Sequence, residues 1–219
     1  MTRQVRIALA GGIVALAAVL ASGLDQPTAR LMTGIDPFVA RIFVVITWFG
    51  QGGVLLYPTG LAAVGLWAYR LWRPGRAAAI DCWIARAIVI FLPVAAAGLV
   101  NDALKIVFGR ARPRFWLAGD MSGFDFFRYG FRYASFPSGH TATSVAAAVA
   151  FGVLFPRWRG VFRAGALLIA VSRVALDLHY VSDVIAGALV GAGTAIVVLG
   201  QLGRTKILAR ARRIRSGAA

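Results

Sequence analysis

The 219-residue chain carries 24 Lys and Arg against 8 Asp and Glu, a net charge of +16, yet 59% of it is hydrophobic and only 15% is charged. Soluble domains hold roughly 25% charged residues, so the composition excludes an ordinary soluble protein and indicates a membrane protein. Nucleic-acid binding is excluded as well: it needs a basic face with base-stacking aromatics on a soluble module, whereas these arginines lie in short gaps between apolar runs.

No linker or repeat divides the chain, so one domain is expected over residues 1–219. A membrane-crossing helix needs about 20 mostly apolar residues, and six segments approach that. Ile7–Leu24 comes first; its basic start would also suit a signal peptide, but "ASGLDQ" is a poor cleavage site. "DPFVARIFVVITWFG" reads as an interfacial lead-in to the second segment, Val54–Tyr69. The third, Ile80–Val107, contains Pro93, whose missing N–H predicts a kink. His140–Phe155, Val161–Leu176 and Asp183–Leu202 complete the series. The expected fold is all-α: a polytopic integral membrane protein with six transmembrane helices. Cys82, the single cysteine, excludes an internal disulfide and a thiolate metal cluster, and reads as a small hydrophobe.

Cytoplasmic loops carry the excess of Lys and Arg. Arg3 and Arg6, then Arg70, Arg73 and Arg76, then Arg157, Arg159 and Arg163, and the tail "RTKILARARRIR" fall in alternate gaps, which puts both termini in the cytoplasm. The gaps after the first and fifth segments are nearly free of cations. The gap after the third, Lys105–Pro137, breaks the rule with Lys105, Arg110, Arg112, Arg114, Arg128 and Arg132. Such a concentration of cations on the exoplasmic side points to a bound anion.

Three stretches surround that gap. In "KIVFGRARP", Lys105 and Arg112 are seven apart, so a helix continuing through them would place both cations on one face, with Pro113 ending it. In "PSGH", Ser138 suits a helix N-cap and Gly139 permits close backbone approach. A helix N-terminus offers free N–H groups and a positive dipole end to an anion, and His140 sits on that first turn. In "SRVALDLHYVSD", Arg173 is followed six residues on by His179, and Asp183 lies four beyond the histidine. That spacing would let the carboxylate accept from Nδ1–H and leave Nε2 as nucleophile or base. With only two histidines in the chain, their joint occurrence in these motifs argues for chemistry rather than packing. Asp102, one turn before Lys105, reads as a structural partner or as a tuner of the site, and Asp177 as polar surface.

These stretches resemble the three signature motifs of the type 2 phosphatidic acid phosphatase family, K-x6-RP, then PSGH, then SR-x5-H-x3-D; every fixed position is present between Lys105 and Asp183. The resemblance implies that His179 attacks phosphorus to form a phosphohistidine, that Asp183 orients it, and that His140 protonates the leaving oxygen and then activates water. It implies that Lys105, Arg112, Arg173, Ser138 and Gly139 hold the phosphate oxygens, and that neither a metal nor a cofactor takes part. The implied protein is a lipid phosphatase of the bacterial inner membrane with its site facing the periplasm. The implied substrates are phosphatidylglycerophosphate, phosphatidic acid, undecaprenyl diphosphate or the 1-phosphate of lipid A, with the extra loop arginines favouring the last two. Lipid-to-lipid phosphotransfer and a catalytically silent lipid-binding or transport protein are the alternatives; a soluble haloperoxidase relative is disfavoured by six spans. In the loop "FWLAGDMSGFDFFRYGFRYASF", the aromatics suit a headgroup-level belt, and Arg128 and Arg132 are candidate contacts to a second anionic group.

Overall fold

The computed structural model describes residues 22–119, 123–128 and 130–212. All regular elements among them are helical. Helix α1 covers residues 22–32; it is followed by α2 Pro37–Trp48, α3 Gly52–Trp72, α4 Ala77–Phe108, the short α5 Pro113–Leu117, α6 Gly139–Leu154, α7 Arg159–Ala175, α8 Val181–Gly203 and α9 Lys206–Arg212. Most of the first apolar segment, Ile7–Leu24, lies outside the described residues. The other five segments coincide with α3, α4, α6, α7 and α8 to within three residues at every end.

Local chemistry sets the boundaries. Asp36 caps α2 by accepting from the N–H groups of Phe38 and Val39 at 2.8 and 3.2 Å, with Pro37 pre-set for the first turn. The lead-in is therefore a helix in its own right, separated from α3 by an elbow at Phe49–Gln51. Gly50 at that elbow presses against Ile169 and His140, where a Cβ would collide. α4 runs as one helix through Pro93.

α4 stops earlier than the seven-residue spacing predicts. Gly109 takes a left-handed φ of 50° and its N–H closes on the Lys105 carbonyl at 3.0 Å, a glycine termination. Lys105 and Arg112 therefore do not share a helix face: Arg112 is the N-cap of α5, and Pro113 opens that helix instead of ending α4. The loop that follows returns to α4, and a Cβ on Gly109 would collide with the Asp125 backbone.

α6 is the central helix, packed against α4, α7 and α8. Its alanines make this possible: Ala142, Ala146 and Ala150 are fully buried, and short side chains let backbones approach. α8 contributes Gly187 and Gly191, one turn apart, whose absent Cβ atoms would overlap the carbonyls of Ser138 and Ala142. This small-residue crossing is how helices associate where lipid removes the hydrophobic drive. Farther down, Ala85, Val89, Leu154, Leu199 and Leu202 form a cluster closed by Ala211 of α9. There the Cys82 thiol donates to the Arg210 carbonyl at 3.0 Å and Arg86 Nε to the Ala211 carbonyl at 3.0 Å.

The outer faces carry what a soluble surface would not: Val44, Val45, Leu61, Val64, Trp67, Leu167, Leu168, Ile196 and Val197 are all exposed. Pro37–Trp72, Pro74–Phe108 and Val181–Gly203 are long and apolar enough to cross a membrane, and Gly139–Leu154 is a shorter apolar helix. The protein is an integral membrane protein.

Candidate active site

His179 lies in the connection between α7 and α8 and is 3% exposed. Its Nδ1 is 2.6 Å from the Ser135 carbonyl oxygen. A carbonyl only accepts, so Nδ1 carries the proton and Nε2 keeps its lone pair. The carboxylate of Asp183 stands 3.8 Å from Nδ1, beyond hydrogen-bond range. The geometry thus differs from the spacing-based expectation: α8 begins only at Val181, so residues 179 and 183 are not stacked on one helical turn, and the main chain two residues before Pro137 takes the proton instead. Burial pushes the His179 pKa down to about 4, with Asp183 opposing, so the ring is neutral at physiological pH.

Asp183 is fully buried and saturated with donors. It accepts from the Ser135 hydroxyl at 2.6 Å and from the Tyr180 N–H at 2.8 Å, the latter as part of the α8 cap. Arg110 reaches its other oxygen. Ser135 therefore holds both members of the pair, through its carbonyl and its hydroxyl.

The cations surround His140. It sits on the first turn of α6, within electrostatic reach of Arg173, His179, Lys105 and Arg112. Lys105 Nζ, paired with Asp102 at 3.1 Å, would be 3.0 Å from a Cβ on Gly139, so the ammonium lies against the glycine backbone. Arg173 is 4% exposed and donates to Thr47 Oγ1 at 2.7 Å. Arg112 is 7% exposed, lies over the Phe131 ring and donates to the Ala134 carbonyl at 3.4 Å. Burial and then Arg114 lower its pKa to about 10, which leaves it charged. Both guanidiniums have a buried Nε without a hydrogen-bond partner among the described residues, a costly arrangement that an anion would relieve. Ser138 is the N-cap of α6, yet its side chain makes no capping bond; its Oγ accepts from Thr141 Oγ1 at 3.0 Å. The first-turn N–H groups of α6 therefore receive no cap from the Ser138 side chain.

Arg128 and Arg132 have partners inside the loop. Arg128 is exposed, paired with Asp125 at 2.8 Å and set over Tyr133, while Arg132 lies over Phe115. Asp177 is not the polar surface expected: it is half-buried at a φ of 51°, and burial raises its pKa.

Four residues escaped the sequence reading, Asp25, Thr47, Asn101 and Ser135, and Arg110 was counted there only among the cations of the Lys105–Pro137 gap. Asn101 is fully buried and donates to the Pro137 carbonyl at 3.3 Å, tethering the "PSGH" turn to α4. Ser135 was within sight, two residues before Pro137, but its role is mainly that of a carbonyl, which no side-chain pattern reveals.

Comparison with protein families matches residues 86–206 to the PAP2 superfamily. A lipid A 1-phosphatase of Rhizobium johnstonii is 37% identical over 158 residues, covering 70% of this chain and 64% of the relative. A lipid A 1-phosphatase of Rhizobium etli is 35% identical over 162 residues, covering 70% and 67%. The chain thus spans about two thirds of the length of these relatives, and slightly less in the first. Among solved structures, Aquifex aeolicus LpxE superposes with a TM-score of 0.57 at 21% identity, covering 81% of this chain and 95% of that one. The transmembrane PAP2 type phosphatidylglycerolphosphate phosphatase of Bacillus subtilis does so with a TM-score of 0.61 at 22% identity, covering 94% and 98%. These agree with a site in which every fixed motif position is present, and the chain belongs to the PAP2 superfamily.

Proposed function

We propose that the protein is a metal-independent lipid phosphatase that removes the 1-phosphate of lipid A through a phosphohistidine on His179. The observation that carries this reading is the orientation of His179, with Nδ1–H held by the Ser135 carbonyl at 2.6 Å and Nε2 left free as a nucleophile. Nε2 attacks phosphorus as the bond to the lipid oxygen breaks, and His140 gives that oxygen its proton. His140 then takes a proton from water, whose oxygen attacks phosphorus and breaks the P–N bond. Nδ1 keeps its proton throughout, so the intermediate ring is cationic and the Asp183 carboxylate 3.8 Å away offsets its charge. Lys105, Arg112, Arg173, Ser138 and the Gly139 N–H hold the equatorial oxygens, which is the charge neutralisation phosphoryl transfer requires.

The relatives' names support lipid A over the other lipid phosphates. Six spans with both termini cytoplasmic, in a bacterial inner membrane, are part of the same proposal. In its support, the motif residues gather at one end of the bundle, while Arg70, Arg157 and Arg159 sit in or beside the turns at the opposite ends of the same helices. A site at periplasmic helix ends receives a lipid headgroup directly from the bilayer, and Arg128 and Arg132 are proposed as contacts to its second anionic group. Phosphate release by the purified full chain in detergent, across lipid A, undecaprenyl diphosphate, phosphatidic acid and phosphatidylglycerophosphate, tests the reading. Lipid A should be preferred, with loss at the 1-position only. Activity should persist in excess chelator and be inhibited by vanadate, a mimic of five-coordinate phosphorus. Activity lost to chelator and restored by magnesium would reject the mechanism.

A further inference from the structure

Behind Asp183 lies a second ion pair that the reaction as described does not use. Arg110 extends its guanidinium between Asp183 on one side and Asp25 on the other, with 2.8 Å to Asp25. Asp25 belongs to α1, is 3% exposed, and also accepts from the Ser182 N–H at 2.9 Å and the Ser182 hydroxyl at 2.5 Å. Arg110 in turn donates to Ser182 Oγ at 2.7 Å and is flanked by the rings of Phe124 and Tyr180, 5.0 and 4.2 Å from its centre. Burial opposes its charge, but Asp183 and Asp25 outweigh burial and its pKa is raised.

Stability alone is a poor reason for this arrangement. A buried ion pair often does no better than apolar residues of the same volume. Its distinctive property is direction: Asp25 fixes Arg110, Arg110 fixes one oxygen of Asp183, Ser135 fixes the other, and the Ser135 carbonyl fixes the His179 ring. A carboxylate gripped by three donors cannot swing to take the Nδ1 proton, so it serves as a stationary negative charge for the imidazolium that forms on attack. Preorganised charge of this kind needs no rearrangement at the moment of reaction. Neither Arg110 nor Ser135 is a fixed motif position, and Asp25 lies outside the family match at 86–206.

We infer that Arg110, anchored by Asp25 of α1, is a positioning residue that holds Asp183, and with Ser135 the His179 ring, in the geometry for attack on phosphorus. The inference rests on His179 being the nucleophile. The groups facing His179 are Asp183 from α8, Arg173 from α7, His140 from α6, Arg112 and Arg110 from the α4–α5 connection, and Asp25 from α1 through Arg110. Removing the negative Asp25 disfavours a protonated His179, and removing the positive Arg110 favours it.

The test uses the full chain in detergent with a 1-phosphorylated lipid A, comparing Asp25→Asn, Arg110→Gln and Arg110→Lys with His179→Ala in parallel. Asp25→Asn and Arg110→Gln should each lower kcat by about tenfold or more with KM within about twofold. The acid limb of phosphoenzyme formation should move down in Asp25→Asn and up in Arg110→Gln, by roughly half a pH unit or more. Opposite shifts cannot arise from general loosening of the fold. Arg110→Lys keeps the charge, so it should fold and hold the wild-type acid limb, yet lose kcat because an ammonium cannot span both carboxylates. Wild-type kcat in Arg110→Lys, or acid limbs that move together in the two charge-removing variants, would overturn the inference. Activity remaining in His179→Ala would instead reject the nucleophile assignment on which it rests.

Discussion

In the proposed reaction the nucleophile is a neutral, buried imidazole, that of His179. His179→Ala should abolish turnover while leaving the protein folded, and His140→Ala should still form phosphoenzyme with a good leaving group; more than a few per cent of wild-type kcat in the His179 variant contradicts the role. The pKa has a consequence of its own. An ordinary histidine protonates near about 6.5, but burial holds His179 at about 4, so protonation of Nε2 is delayed to that lower range. Single-turnover phosphoenzyme formation should therefore stay level from about pH 7 to about 5 and fall only near 4, whereas an acid limb centred near about 6.5 that belongs to His179 would contradict its environment. Ser135→Ala makes a finer distinction. It keeps the carbonyl that holds Nδ1–H and removes only the 2.6 Å hydroxyl bond to Asp183. Losing one charge-assisted bond of about 1–2 kcal/mol should lower kcat roughly tenfold with KM unchanged.

At the scale of elements, two features position these residues. The α6–α8 crossing is closed by glycine: a Cβ at Gly187 meets the Ser138 backbone, while one at Gly193 meets nothing within 4 Å. Gly187→Ala should cost about 1–3 kcal/mol, read as a lower midpoint of thermal unfolding in detergent, and should slow turnover because Asp183 lies one turn away. Gly193→Ala should change neither. The second feature is the loop between α5 and α6. If Arg128 and Arg132 meet a second anionic group, changing both to Gln should raise KM for a bisphosphorylated lipid about tenfold or more and leave a monophosphate with a neutral remainder alone, with kcat changing far less. Equal effects on both lipids, or none, would return these arginines to their partners Asp125 and Phe115.

For the whole molecule, apolar run length made most helices legible, because a lipid-facing helix must stay apolar for its full length. Ile80–Val107 emerged as Ala77–Phe108 and Asp183–Leu202 as Val181–Gly203. The continuation of α4 through Arg112 did not hold, since a left-handed Gly109 ends the helix without altering the spacing of Lys105 and Arg112. The three motifs were legible as linear patterns, each lying at helix ends: the C-terminal end of α4, the N-terminal end of α6, and the connection from α7 to α8. Asp25 and Arg110 were not: they are 85 residues apart, and Arg110 and Asp183 are 73 apart. Sequence spacing carries no information about such pairs until the fold joins them. The same fold shows what cations of the Lys105–Pro137 gap engage, since Arg110 is paired with Asp183 and the buried Arg112 lies over Phe131. The most direct test of the account is to trap the intermediate. The full chain is mixed with 1-phosphorylated lipid A, quenched in base within the first turnover, and mapped by mass spectrometry for the site of phosphate attachment. The account predicts a base-stable, acid-labile phosphoryl group on His179 that is missing in His179→Ala; a phosphoryl group on any other residue, or its persistence in His179→Ala, would contradict it.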